Sequence, residues 1–155
     1  MIAELKKLSA DEQELVYKAP ILVCILIAGA DGTIDRKEIK EAIQFAEKKI
    51  SSSKSPLSAL LIQIMEDFED KLKILLQQFP YKSKDRNQLI ASELIQLNSL
   101  WKKMDSKFAK EFFNMLVSIS QRIANSSGGI LGYNAVGSEE AKYVNLGMIN
   151  DPSLN

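Results

Sequence analysis

The chain contains no histidine and a single cysteine, Cys24. Without an imidazole there is no Ser-His-Asp or Cys-His nucleophile, no His-ligated zinc or haem, and no side chain whose ordinary pKa lies near neutrality. One cysteine excludes an internal disulfide, which fits a reducing cytoplasm. Its setting, Ile21-Leu22-Val23-Cys24-Ile25-Leu26, marks it as a small buried hydrophobe rather than a reactive thiol. Surplus charge is also missing: 20 Lys+Arg stand against 20 Asp+Glu. Nothing is left over to neutralise a phosphate backbone, so nucleic acid is not expected as a partner. The apolar run Ala19 to Ala30 is well short of the roughly 20 residues a membrane-spanning helix needs. Met1-Ile2-Ala3-Glu4-Leu5-Lys6-Lys7 lacks the basic-then-apolar order of a signal peptide. The expectation is a cytoplasmic protein with no direct membrane insertion.

Glycine (7) and proline (4) are sparse in 155 residues, and no segment alternates apolar and polar residues between hairpin turns, so no strand is expected. What remains is helical periodicity and a 46% apolar content. That suffices for one all-α, compact, single-domain bundle of about six helices over residues 1–155. Residues 1–8 and 149–155 are expected to be flexible ends.

Ser9-Ala10-Asp11-Glu12 has the form of a capping box, opening a helix towards Ile27 or Ala28. Pro20 inside it removes one amide and should kink it. From Ala19 this helix is apolar all round and must be surrounded by others. Asp35, with Glu38 three residues on and Ile34 opposite Ile39, opens a second, one-sided helix. Ser55-Pro56 opens a third, whose stripe from Leu57 through Ile64, Phe68 and Leu75 to Phe79 runs unbroken until Pro80. Ser83 caps a fourth, carrying Ile90, Leu94, Leu97, Trp101 and Met104. Asp105 caps a fifth, carrying Phe108, Phe112, Leu116, Ile119 and Ile123; one kinked helix through Met104 and Asp105 is the alternative. Four glycines cluster between Gly128 and Gly137, after which Ser138 caps a short last helix. Helix, glycine loop, acidic turn and helix occur at 10–50 and again at 108–148, which suggests two related helical halves.

Gly29-Ala30-Asp31-Gly32-Thr33-Ile34-Asp35-Arg36-Lys37-Glu38 looks like the second half of an EF-hand. Asp31, Gly32, Ile34, Asp35 and Glu38 fit positions 5, 6, 8, 9 and 12 of that calcium loop. Ile27 and Gly29 stand where its first two ligands belong, so a full EF-hand is rejected. An oxygen-only site made by Asp31, Asp35 and Glu38 would take calcium, magnesium or manganese. Against it, Asp35 and Glu38 are fully explained by helix capping and Asp-Gly by a turn. Gly132 and Gly137 have phosphate-loop spacing, but Ser138-Glu139 replaces the lysine that such a loop needs. Glu139 and Glu140 read as helix-start carboxylates or as members of a second metal position. Glu66, Asp67, Glu69 and Asp70 form a solvated face. Trp101 and Phe112 belong to the core, and no nucleophile-base pair or cofactor cradle emerges, so no enzyme is expected.

The run Ala19-Pro20-Ile21-Leu22-Val23, then Leu26-Ile27-Ala28-Gly29-Ala30-Asp31-Gly32-Thr33-Ile34-Asp35, then Glu38, resembles the amino-terminal region of the TerB-type tellurite-resistance family. The likeness covers about residues 9 to 50, and Gly129 to Val144 looks like the family's second half-motif, with Ser127-Gly128-Gly129 where an Asp-Gly would stand. The resemblance implies two related helical halves and acidic helix starts that chelate a metal, here Asp31, Asp35 and Glu38, with Glu139 and Glu140 in the second half. It implies a non-enzymatic stress-response role beside a membrane-associated partner complex. The alternative is a purely structural or co-chaperone-like interaction module without metal.

Overall fold

Ser9 opens the first helix by reciprocal bonds: its Oγ accepts the Glu12 amide at 3.2 Å while its own amide donates to Glu12 Oε1 at 2.8 Å. Two of the four orphan donors of a helix start are thereby satisfied. The helix, α1 (Ala10–Ala28), passes through Pro20 as one element, and every residue from Ala19 to Ala28 is buried. A computed structural model describes residues 2–29, 34–51, 55–128 and 143–154. Five more α-helices follow among these: α2 (Arg36–Ser51), α3 (Pro56–Glu66), α4 (Phe68–Gln78), α5 (Ser83–Ile95) and α6 (Ser106–Gly128). No strand occurs among the described residues.

The all-apolar segment of α1 dictates the architecture. It packs against α6, α5, α2, α4 and α3, and α6 closes over α2 and α3. The expected stripes point inward: Ile39, Ala42, Ile43 and Ala46 from α2, and Phe108, Phe112, Leu116, Ile119 and Ile123 from α6, join one continuous core. Trp101 meets Phe112 edge to face with ring centroids 6.3 Å apart. That geometry suits the aromatic quadrupoles. Tyr17 donates to Gln63 at 2.6 Å, Lys18 pairs with Glu93 at 2.7 Å and Lys103 with Glu12 at 2.7 Å, fastening α1 to its neighbours around the rim.

Three boundaries differ from the sequence reading. The third helix is broken at Asp67, whose φ of −126° and ψ of 32° separate α3 from α4. The break lets Leu57, Leu60, Leu61 and Ile64 on one segment and Phe68, Leu72 and Leu75 on the other all reach the core. The fourth helix ends at Ile95 and gives way to 3-10 turns at Gln96–Ser99 and Trp101–Lys103. Met104, extended at φ −112° and ψ 155°, then separates these from α6, which excludes one kinked helix. Ser83 is the first residue of α5 rather than its cap; Lys82 holds that place without a side-chain bond. The count of six therefore includes a split third helix, while the start of the last expected helix, at Ser138, lies outside the described residues.

Both chain ends pack. Ile2, Leu5 and Leu8 are buried around a 3-10 turn at Ala3–Leu5 and belong to the core. Leu146 and Ile149 are buried as well, and Asp151 bonds Lys110 through both carboxylate oxygens at 2.8 and 3.0 Å. Aliphatic side chains at spacing three supply the reason at each end.

Candidate functional site

The junction of α1 with α2 carries the acidic turn singled out in the sequence. Asp35 stands before the first residue of α2, and its Oδ1 accepts the amides of Lys37 at 3.0 Å and Glu38 at 3.2 Å. That is the capping geometry, and it directs the Asp35 carboxylate onto its own helix. Glu38 is half-buried, its Oε1 enclosed. Its charge is felt by the fully buried Cys24 of α1: burial pushes the thiol well above the ordinary cysteine range, and Glu38 pushes it further. Cys24 is thus an inert core thiol.

Asp31, Glu139 and Glu140 lie outside the described residues. Among the described residues no three carboxylate or thiol groups come together as a metal-ligand cluster. Of the proposed first set, Asp35 and Glu38 meet only across the first turn of α2, where one caps the amide of the other.

A residue with no place in the sequence reading dominates this corner. Arg86, near the start of α5, is 4% exposed. Its Nη2 donates to the carbonyl of Gly29 at 2.7 Å and its Nη1 to the carbonyl of Tyr81 at 3.3 Å, leaving Nε enclosed without a hydrogen-bond partner. Burial lowers the guanidinium's pKa from its ordinary value. The C-terminal end of a helix carries partial negative charge and unbonded carbonyls, so a cation inserted there is favoured twice. Gly29 adopts φ −92° and ψ 3°, which any residue tolerates. Its lack of a side chain serves the close approach instead, since a Cβ would stand 2.5 Å from Arg86 Nη2 and 2.7 Å from the Ile25 carbonyl oxygen.

A sequence signal for Arg86 did exist. It precedes Ile90 by four and Leu94 by eight residues, so it occupies the buried stripe of α5, where a charged residue is anomalous. Its neighbour Asn87 is equally enclosed, with Oδ1 lacking a hydrogen-bond partner. The acidic face of α3 and α4 is exposed as expected; Asp67 pairs with Lys71 at 2.6 Å and Glu69 with Lys40 at 3.3 Å. Such surface pairs add little to stability. No helix among the described residues is long and apolar enough to cross a membrane. No family model, curated protein sequence or solved structure matches the chain.

Proposed function

We propose that this chain is a cytoplasmic, non-enzymatic TerB-like domain that acts through a protein partner, and that the α1–α2 junction controls how it presents itself to that partner. The observation that carries this reading is the Arg86–Gly29 bond, which ties α5 to the end of α1 beside the acidic turn. A guanidinium already supplies positive charge at the helix end. The junction holds α1 and α5 together, and its role is positional. Other buried polar groups serve the fold in the same way: the Ser120 hydroxyl donates to the Val144 carbonyl at 2.6 Å. By the resemblance, the partner belongs to a membrane-associated complex and the setting is tellurite or a related stress.

The second reading adds a divalent cation, calcium, magnesium or manganese, held by Asp31, Asp35 and Glu38, with Glu139 and Glu140 as a further set. The observation in its favour is that Asp35 and Glu38 stand together on the first turn of α2. Thermal unfolding of the wild type and of Asp31→Asn, with chelator and then with each cation, separates the two. A ligand set produces saturable stabilisation following RT ln(1 + [L]/Kd), lost in the variant. No shift at millimolar cation rejects the metal and leaves the interaction module. Affinity capture with and without the cation tests control of the partner; identical partners in both conditions reject it.

A further inference from the structure

Residues 143–154 reach the body of the bundle in an unusual manner: side chains of the body read the backbone of the segment. The Ser120 hydroxyl on α6 donates to the Val144 carbonyl. Asn98, in the 3-10 turn after α5, donates through Nδ2 to the Met148 carbonyl at 3.0 Å and accepts the Asn150 amide on Oδ1 at 2.7 Å. The Trp101 indole donates to the Asn150 carbonyl at 2.9 Å. Between these bonds Leu146 and Ile149 sink into the core at 0% and 4% exposure, and Asp151 closes the contact on Lys110. The segment is a run of tight turns, with Leu146 N–H bonded to the Tyr143 carbonyl at 2.8 Å and Ile149 N–H to the Leu146 carbonyl at 2.9 Å, and it presents its remaining backbone groups to the body while its aliphatic side chains fill pockets there.

The docked backbone is also strained. Leu146 has φ 51°, the one positive value at a non-glycine among the described residues. A bulky buried side chain in the left-handed region holds that conformation only because its surroundings impose it. At Leu146 the segment therefore sits in its groove against its own backbone preference, and the contacts with the body impose that conformation on its turns.

We propose that residues 143–154 are a releasable strap occupying a peptide groove on α6 and the preceding 3-10 turns. The groove's other ligand is a partner segment of the same chemistry: two aliphatic residues three apart and an acidic residue two positions further, as in Leu146, Ile149 and Asp151. Release of the strap exposes Asn98, Trp101, Lys110 and Ser120 together. This names the kind of partner that the proposed function requires and rests on that reading only for the partner being a protein.

Two measurements on the full chain decide it. In hydrogen exchange of the unmodified protein, the amides of Leu146, Ile149 and Asn150 should exchange at least about 100-fold faster than amides in the middle of α1, through a local opening. Equal rates mean that the strap leaves only on global unfolding and overturn the proposal. In the second, a fluorescent peptide of residues 143–155 is titrated into the wild type, Leu146→Ser, and Leu146→Ser with Asn98→Ala. The cis strap competes at an effective concentration of about millimolar, so Leu146→Ser should bind the peptide at least ten-fold tighter than wild type, and the double variant should lose that gain. Equal binding by wild type and Leu146→Ser overturns the proposal. Should Leu146→Ser fail to fold by circular dichroism, the exchange experiment decides alone. Neither readout depends on capturing a partner, so a failed strap leaves the TerB-like reading standing, and a failed affinity capture leaves the strap standing.

Discussion

The Arg86 guanidinium nitrogen bonds the Gly29 carbonyl at 2.7 Å and occupies the space that a Cβ on Gly29 would need. The pair joins residues 57 apart in sequence. It fastens the start of α5 to the end of α1.

Gly29→Ala should cost about 1–3 kcal/mol through overpacking, and Arg86→Ala about 1.5–3 kcal/mol through the loss of charged hydrogen bonds to buried carbonyls. In the double variant the costs should fall short of additivity by at least about 0.5 kcal/mol, because the alanine methyl no longer meets the guanidinium. Urea denaturation of the four proteins checks this, and additive costs would show that the close approach carries no energy.

Asp35→Ala removes the acceptor of two amides at the start of α2 and should destabilise the chain by about 1 kcal/mol. As a cap alone, Asp35 gives the same loss with and without divalent cation. A loss that grows with cation would assign it to a ligand set.

Acid should loosen the segment at residues 143–154 before the core. The hydrogen bonds from the Lys110 ammonium and then from the Ser153 amide hold the Asp151 carboxyl at about 2, whereas in the unfolded chain it titrates near ~3.9. Because the folded value is the lower one, the stabilisation is complete above the unfolded value and disappears as pH falls through the folded one. Trp101, bonded to the neighbouring Asn150 carbonyl and the single tryptophan of the chain, reports on it. Its fluorescence should change between about pH 4 and 2 in the wild type, and Asp151→Asn should remove that step.

Cys24 should resist thiol reagents in the native protein and react fully in urea. Burial is the leading cause of its raised pKa and Glu38 the smaller one, so Glu38→Gln should leave native reactivity unchanged. Labelling followed by mass spectrometry measures both.

Local chemistry made the helix starts legible. Ser9, Asp35, Ser55 and Asp105 all cap as their spacing indicates, with Ser55 Oγ and Asp105 Oδ2 accepting the amides of Ser58 and Phe108. The buried stripes of α2 and α6 followed from periodicity, and the burial of α1 from its uninterrupted apolar run. The break at Asp67 was not legible, because the apolar spacing runs through it and no glycine or proline marks it; packing around α1 decides it. The end of α5 at Ile95 escaped too, since the partners of Asn98 are Met148 and Asn150, some fifty residues away. For the acidic turn, spacing identified the cap at Asp35 but gave no hint that Arg86 would arrive from another helix.

The enclosure of α1 on all sides has a consequence during synthesis. Its ten apolar residues from Ala19 to Ala28 are made well before α6, one of the walls that shields them, which begins only at Ser106. At translation rates of about 5–20 residues per second, that greasy stretch waits about 4–16 s for its cover. The nascent chain is therefore most vulnerable to aggregation between the synthesis of α1 and that of α6, and the ribosome-bound intermediate needs a shield that the finished protein does not.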